Sequence, residues 1–300
     1  MEINSKQLLK VLLKAFTSAF KWNIGKWFIS VGLGILTSVI IPFGKEVWKW
    51  DYITAIKYSA YAFGAFYLFR FIAIAIKESI KYFHSIYKES VYGDAIILLK
   101  QSFAEAHYYR KTPEFQDEDF MRSMMVFCNN LKIIYDKITK SNCSVSIKVP
   151  IKDAKVSEHT VLKNLTRNTE NSARDTKKYQ ETQHTIIGNS AFSNCLDRVL
   201  KNNPEKFYIN NDVNNEKNYR NTSKECYDNQ ELPYHSELVH PIIPLKSKDN
   251  INYDCHGFIC VDSDKPNSFE SKYLPAILEG VADGIYDIIE QLNSETNGSN

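Results

Sequence analysis

The sequence predicts an α+β protein in which an N-terminal transmembrane helical hairpin and a helical linker precede an antiparallel sheet flanked by helices. Two observations lead to this prediction. The uncharged run from Trp27 to Gly44 forms about 27 Å of helix, close to the thickness of the hydrocarbon core of a bilayer. After residue 111, short β-branched runs that alternate with period two lie between segments with helical spacing, which is typical of a sheet covered by helices.

The first apolar run has the flanking residues of a membrane span. All four tryptophans of the chain lie at its two ends, and indole rings favour the level of the lipid head groups. A buried core helix, the alternative, needs neither tryptophan nor lysine at both ends. The flanking residues are Trp22, Lys26 and Trp27 before the run, and Lys45, Trp48 and Trp50 after it.

A second apolar run, residues 58–76, carries one charge, Arg70. Arg70 lies close enough to the end of the run to extend its side chain to the near interface, and the alternative is an arginine that faces a helix bundle or a pore. The connection between the two runs is too short to be a domain. Residues 27–76 are therefore predicted to form a two-helix hairpin, and residues 77–111 a helical linker that either transmits a movement or acts as a spacer.

The N-terminal segment, residues 1–26, alternates lysine and apolar residues at helical spacing. This pattern predicts an amphipathic helix that lies in the membrane interface or, alternatively, a helical extension of the first span. Lysine and arginine are more frequent outside the hairpin than in its connecting loop, which favours a protein of the cell (inner) membrane with both termini in the cytoplasm.

Charge is distributed unevenly between the two parts of the chain. Residues 1–111 contain 15 Lys and Arg and 7 Asp and Glu, whereas residues 112–300 contain 22 and 28. The basic part suits an anionic lipid leaflet, so the bilayer is one expected partner. The acidic part argues against a nucleic-acid polymer as a partner, because phosphate binding needs clustered positive charge.

Residues 112–293 are predicted to form one cytoplasmic domain, followed by a polar tail at 294–300. Pro241 and Pro244 predict that the strand containing them lies at a sheet edge or is bulged, and Asn267 with Glu270 predicts a capping box. The elements expected from periodicity are a helix over 114–140, strands over 143–151 and 161–167, a helix from Asn189 or Ser190 to Leu200, a strand over 207–210, a long loop over 211–231, strands over 238–245 and 256–261, and a helix over 269–292.

This order of elements resembles a GAF domain, and the related PAS fold is the alternative. Residues 234–245 (YHSELVHPIIPL), a turn, and residues 257–262 (GFICVD) resemble the GAF pattern of a "PI" strand, a glycine-led apolar strand and a closing helix. The resemblance implies a small-molecule pocket on one sheet face, and a homodimer or higher oligomer formed through the terminal helices. The NKxnFxnDE motif of cyclic-nucleotide-binding GAF domains is absent from the sequence, so recognition of cyclic GMP is not implied.

Nine polar residues between the second strand and the "PI" strand are the candidate ligand-binding residues, because these segments cover the pocket in GAF domains. Arginine binds phosphate and carboxylate groups, and tyrosine stacks on bases, so the expected partner is a small anionic ligand or, alternatively, a protein. The alternative for each of these residues is that it is an ordinary surface or loop residue without a role in binding. The nine are Arg174, Tyr179, His184, Asn189, Asn211, Asp212, Tyr219, Tyr234 and Ser236.

The sequence contains no motif that indicates catalysis, a cofactor or a metal site. Its six cysteines form no C-x-x-C pair, which does not favour zinc. A GAF-like sulfoxide reductase needs cysteines around its pocket, and the sequence alone places none there. The chain is therefore predicted not to be an enzyme.

The predicted function is that of a membrane-anchored sensory or signalling protein whose GAF-like domain binds a small ligand or a partner. One alternative is a defence-type membrane effector in which ligand-driven oligomerisation perturbs the bilayer. The other is a non-catalytic tether with a degenerate pocket.

Overall fold

The computed structural model describes most of the chain beyond residue 50. The described residues are 41–47, 49, 51–111, 117–151, 156–169, 182–227, 231–245 and 254–298, and, nearer the N-terminus, Leu13, Thr17, Ser30, Gly32 and Gly34. The chain forms two compact units, Met1–Ser90 and Val91–Asn300. Most of the predicted interfacial segment, residues 1–26, lies outside the described residues, and so does most of the first predicted span.

The described part of the first unit is helical. Helix α1 spans Ile41–Glu46, and helix α2, Tyr52–Arg110, begins in this unit. The Asp51 carboxylate accepts a hydrogen bond from the Thr54 backbone N–H at 2.8 Å, which satisfies one donor of the first turn of α2. Within the described residues, one helical stretch, Ile56–Tyr108, is long and apolar enough to cross a membrane. The second predicted span lies in this stretch.

The second unit contains a six-stranded sheet in which every strand pair is antiparallel, as predicted. The strand order is β3-β2-β1-β6-β5-β4. The strands are β1 Cys143–Pro150, β2 Val161–Arg167, β3 His184–Thr185, β4 Tyr208–Asn210, β5 Ser236–Pro241 and β6 Phe258–Ser263; the helices are α3 Asp117–Thr139, α4 Ser190–Leu200 and α5 Tyr273–Gly298, with a 3₁₀ helix at Thr222–Cys226.

The alternation of side chains along the central strands separates the two faces of the sheet. On one face, Val145 and Ile147 of β1 and Leu238 of β5 lie in a buried core with α3, α5 and the part of α2 after Val91. On the other face, Val239 and Phe258 lie in a second core with α4 and the loops around it. The apolar stripes of α3 and α5 are therefore buried within the unit itself.

Strand β5 is not an edge strand, and its register against β6 and β4 has no bulge, so the prediction from its prolines is wrong. It lies between β6 and β4, and the short strand β4 pairs with β5 only from Glu237 to Val239. Neighbouring residues of a strand bond to opposite sides, and Ile242 donates to Gly257 beside β6. The missing N–H of Pro241 therefore falls on the side where β4 has already ended, and no hydrogen bond of the ladder is lost there.

The predicted capping box at Asn267 and Glu270 is also wrong. Asn267 has a φ of 58°, and α5 begins six residues later, at Tyr273. The Asn267 backbone N–H donates to the Asn211 carbonyl at 2.9 Å, so a long-range contact and not a helix start determines its conformation.

Gly257 provides a test of how closely β6 approaches β1. Its φ is 139°, and a Cβ atom there would clash with the backbone carbonyl of Lys148. We expect Gly257→Ala to lower the free energy of unfolding by more than about 1 kcal/mol, because the positive φ disfavours alanine and the backbone of β1 cannot move away cheaply. Chemical denaturation of the full chain measures this change.

Gly280→Ala is the matched control. A Cβ atom at Gly280 of α5 meets no atom within 4 Å, and alanine is favoured over glycine in a helix by roughly 1 kcal/mol. This variant should be at least as stable as the wild type. Equal effects of the two substitutions would contradict the close approach at Gly257.

Candidate functional site

A small cavity, which we call the sheet cavity, lies on the face of the sheet opposite α3 and α5. The space in it that is open to the centre of a water molecule is about 20 Å³, enough for an ordered water. Residues of β1, β5 and β6 form its floor. The lining residues are Ser146, Lys148, His184, Asn189, Ala191, Phe192, Asn221, Ser223, Tyr234, Glu237, Val239, Cys260 and Asp262.

Two carboxylates face this cavity from neighbouring strands. Glu237 of β5 and Asp262 of β6 are directly opposite each other in the sheet, and their exposed fractions are 3% and 7%. Like charges at opposite positions destabilise a sheet, and burial adds a desolvation cost. Such a pair suits a site where a cationic group binds and offsets both costs.

A cluster of hydroxyl and amide groups holds Glu237. The Asn221 amide donates to the Tyr219 hydroxyl at 2.9 Å and to the Tyr234 hydroxyl at 2.8 Å. Tyr219 in turn hydrogen-bonds to Glu237, and burial, with a smaller effect of Glu237, raises the pKa of Tyr219 well above its ordinary value. Tyr219 therefore stays a neutral donor that orients the carboxylate.

A buried lysine and a buried histidine form the other end of the cavity. Lys148 Nζ lies 2.8 Å from Asn164 Oδ1 and 2.8 Å from His184 Nε2, and His184 Nδ1 lies 3.1 Å from Thr222 Oγ1. Because a charged ammonium group can only donate, Nε2 accepts and Nδ1 carries the proton that is donated to Thr222. This chain of hydrogen bonds joins β1, β2 and β3 to the 3₁₀ helix.

Asn189 also holds the 3₁₀ helix in place, through hydrogen bonds to Thr222. It occupies the N-cap position of α4, but its side chain makes no capping bond. Its amide instead donates to the Thr185 carbonyl at 2.8 Å and to Thr222 Oγ1 at 3.0 Å, while its oxygen accepts from the Thr222 backbone N–H at 3.2 Å. The 3₁₀ helix is thus held beside the cavity by side chains of two other elements.

The structure brings several of the predicted residues together at this cavity. His184, Asn189 and Tyr234 line it, and Tyr219 hydrogen-bonds to its wall. Arg174 and Tyr179 lie outside the described residues. Asn211, Asp212 and Ser236 do not line the cavity: Ser236 donates to the carbonyls of Asn211 and Lys265, Asn211 accepts from the Phe269 backbone, and Asp212 accepts from Asn215. A ligand-binding role for the nine residues remains a prediction.

Three charged residues on the strands were not predicted as site residues from the sequence: Lys148, Glu237 and Asp262. A signal for one of them exists in β1, where Ser144, Ser146 and Lys148 alternate with buried apolar residues. A polar face on a central strand indicates either solvent or a cavity, and the sequence does not distinguish the two. Among the described residues, no group of three His, Cys, Asp or Glu side chains could hold a metal ion.

The fold of the second unit is α+β and GAF-like. It is similar to the GAF domain of a phosphoenolpyruvate-protein phosphotransferase from Acinetobacter (10% identity, 68% of this chain and 97% of that one, TM-score 0.43). It is also similar to the free methionine-R-sulfoxide reductase from Thermoplasma acidophilum (25% identity, 59% of this chain and 96% of that one, TM-score 0.37). A third similar structure is the free methionine-R-sulfoxide reductase from Neisseria meningitidis (12% identity, 69% of this chain and 89% of that one, TM-score 0.38). No family model and no curated protein matches the sequence.

The prediction that the chain is not an enzyme is contradicted, since free methionine-R-sulfoxide reductases are among the structures that it resembles. The argument behind that prediction also fails at one residue. Cys260 of β6 lines the sheet cavity, so the structure does bring a cysteine to a pocket. Burial raises the pKa of its thiol to about 12.

The carboxylate pair predicts an unusual gain in stability on mutation. We expect Glu237→Gln to raise the free energy of unfolding at pH 8 by up to about 1 kcal/mol, because it removes the repulsion by Asp262 and keeps an acceptor for Tyr219. Asp262→Asn should act alike, and the double variant should gain less than the sum of the two, as measured by a double-mutant cycle.

Glu205→Gln, at an exposed position before β4, is the control and should change stability little. A loss of stability in both single variants would mean that the folded protein already neutralises the two charges.

Proposed function

We propose that this chain is a membrane-anchored sensor whose GAF-like domain binds a small molecule with a cationic group in the sheet cavity. The observation that carries the proposal is the pair of buried carboxylates, Glu237 and Asp262, opposite each other in the cavity floor. A protein gains nothing in stability from such a pair on its own. An ammonium group placed against it would make charge-assisted hydrogen bonds to both carboxylates.

The other walls suit the rest of such a molecule. Ala191, Phe192 and Val239 supply apolar contacts, and Asn221 and Ser223 supply polar ones. The cavity is small, so the ligand either is no larger than a few heavy atoms or enters with a displacement of the 3₁₀ helix. That helix is held mainly by hydrogen bonds to Thr222, which can exchange with water at modest cost.

The prediction of an anionic ligand depended on Arg174, Tyr179 and His184. Arg174 and Tyr179 lie outside the described residues, and His184 lines the sheet cavity with its Nε2 against Lys148. The described walls of the sheet cavity carry two carboxylates and one lysine, whose Nζ already contacts Asn164 and His184. This balance favours a cationic group, and an anionic ligand is the alternative that the experiment below separates.

We place the anchor in the N-terminal part of the chain, as a hairpin of two spans in the cell (inner) membrane with both termini in the cytoplasm. Support for the second span comes from α2, where Tyr61 is 71% and Phe69 74% exposed. Large aromatic side chains at this density on one helix suit a lipid environment and are unfavourable in water. Effector and tether functions remain the alternatives for what the anchor does.

The end of α2 offers a route for a signal within the second unit. Asn130 of α3 donates to Ser102 of α2 at 2.8 Å, and the rings of Phe103 and Phe127 are 4.9 Å apart at their centroids. Both helices pack against the same core as β1, β5 and β6. A ligand that shifts these strands would therefore act on α2.

Binding of amines tests the proposal. The full chain, purified in detergent, is heated with small primary amines and amino acids, each beside its N-acetylated form, which lacks the charge. We expect amines but not their acetylated forms to raise the melting temperature. Glu237→Gln and Asp262→Asn should each weaken binding by roughly tenfold to a hundredfold, because each removes a charge-assisted hydrogen bond of about 1.5–3 kcal/mol.

Glu205→Gln is the control for a general effect of charge. Stabilisation by small acids or nucleotides that is lost in Arg174→Ala would instead favour the anionic ligand, and no response to any compound would favour the tether. Reduction of free methionine-R-sulfoxide is a second candidate function, which the position of Cys260 in the cavity favours. The same preparation is assayed for NADPH oxidation with thioredoxin, thioredoxin reductase and free methionine-R-sulfoxide. Activity that Cys260→Ser abolishes would make the chain a reductase.

Reporter fusions test the topology of the anchor. A reporter joined after Asn300 should behave as cytoplasmic, and one inserted near Glu46 should behave as exported, because the lysine and arginine bias retains both ends of the hairpin inside. Two cytoplasmic reporters would mean that the second apolar run, which lies between the two reporter positions, does not cross the membrane, and the opposite pattern would reverse the orientation.

A further inference from the structure

A second cavity, which we call the edge cleft, lies at the edge of the sheet where β5 ends, between the residues that follow α4 and helix α5. The residues that follow α4, the end of β5 and Glu279 of α5 enclose it. The space open to the centre of a water molecule is about 390 Å³, within the range of small-molecule sites. The sheet separates this cleft from Glu237 and Asp262, because His240 of β5 has the same orientation as Leu238 and the opposite one to Glu237 and Val239.

His240 in the wall of this cleft has an acceptor without a donor. Its exposed fraction is 2%, and its Nδ1 lies 2.7 Å from the Pro241 carbonyl. A carbonyl only accepts, so Nδ1 carries the proton and Nε2 is a bare lone pair. Among the described residues, Nε2 has no hydrogen-bond partner. Burial lowers the pKa of His240 to about 4, so the ring stays neutral at physiological pH and Nε2 remains an acceptor.

Two opposite charges face the same cleft without neutralising each other. Lys206 lies on the side of the α4 connection and Glu279 on the side of α5. In the part of the chain that the structure describes, neither forms an ion pair. Both are half-buried, so a ligand between them would meet one fixed cation and one fixed anion that water screens only partly.

Flat apolar groups complete the walls. Pro204, Pro244 and Leu245 line the cleft, and Leu245 is held in place by its backbone N–H, which donates to Asp283 at 2.6 Å. Proline rings and a leucine side chain present surfaces on which the face of a ring can lie. The cleft therefore offers the Glu279 carboxylate, one cationic donor and apolar walls, with a buried acceptor, His240 Nε2, in its wall.

We propose that the edge cleft binds a neutral planar heterocycle that presents N–H donors and a carbonyl, the pattern of a guanine-type base. One N–H group donates to His240 Nε2, and further N–H groups donate to the Glu279 carboxylate. Lys206 donates to the carbonyl, and the apolar side chains contact the ring. This site is separate from the sheet cavity and does not depend on the function proposed for it.

Calorimetric titration of the full chain in detergent with guanosine tests this site, with adenosine, which lacks the ring carbonyl, as the comparison. We expect guanosine to bind more tightly than adenosine. Glu279→Gln and His240→Phe should each weaken guanosine binding by about tenfold or more, since each removes an acceptor from a partly or fully buried hydrogen bond. His240→Gln, whose amide oxygen can stand near the position of Nε2, should retain most of the affinity.

Two controls keep the result interpretable. Glu270→Gln changes an exposed carboxylate before α5 and should leave guanosine binding unchanged. If His240→Phe fails to fold, Glu279→Gln decides alone. Two results would overturn the proposal: the absence of a heat of binding at millimolar guanosine, or guanosine binding that Glu279→Gln does not weaken. Either result counts against the edge cleft independently of the outcome of the amine experiments.

Discussion

The antiparallel register of β1, β6 and β5 is the constraint on which both the core and the candidate site depend. It sets Ser146 opposite Cys260 and Glu237 opposite Asp262. A shift of one residue would turn the carboxylate of a shifted strand from the sheet cavity into the apolar core under α3 and α5. The cost of that shift is what fixes the register, so the buried apolar residues of one face determine the positions of the polar residues on the other.

The polar residues of the sheet cavity lower stability unless their charges and hydrogen bonds are matched. Lys148 contacts the acceptors Asn164 and His184, and His184 extends the chain to Thr222. A network of this kind is rigid when each member has its partner. The carboxylate side has one more negative charge than the lysine balances, and a bound cationic group would correct this without any change in the fold. The two ends of the cavity thus differ: the lysine end is a hydrogen-bonded network within the protein, and the carboxylate end is the one at which we propose that a ligand binds.

The sequence predicted most helices and strands because their periodicity is local. Strand β1 and helix α4 follow directly from alternation and helical spacing, and their observed bounds are close to the predicted ones. The position of β5 in the sheet was predicted wrongly. A proline shows only that its own backbone nitrogen cannot donate a hydrogen bond, and it does not show which strand lies beside it. The bonds of Thr222 to His184 and Asn189 join residues more than thirty positions apart, and no local pattern predicts such contacts.

The same limit explains why the predicted site residues came from loops and the charged ones on strands were missed. Polar loop residues stand out in a sequence, but Asn211, Asp212 and Ser236 use their polar groups to join turns. A polar residue on a strand has the same pattern whether it faces solvent or a cavity. Glu237 is distinguishable only by a partner, Asp262, that is 25 positions away and paired with it through the sheet.

The apolar stripes of the terminal helices α3 and α5 were recognised correctly in the sequence, but the surface that they contact was not. The resemblance to GAF domains implied an oligomer interface on these helices, which nothing in the structure tests, and Leu278 and Ile285 of α5 and Leu131 of α3 are buried in the core of their own unit. One amphipathic stripe on a helix can satisfy one partner, and here the sheet is that partner. An oligomer formed through these helices would have to use their other faces, where Met121, Ile133 and Tyr273 are exposed. Self-association would then depend on scattered apolar residues and not on the stripes themselves.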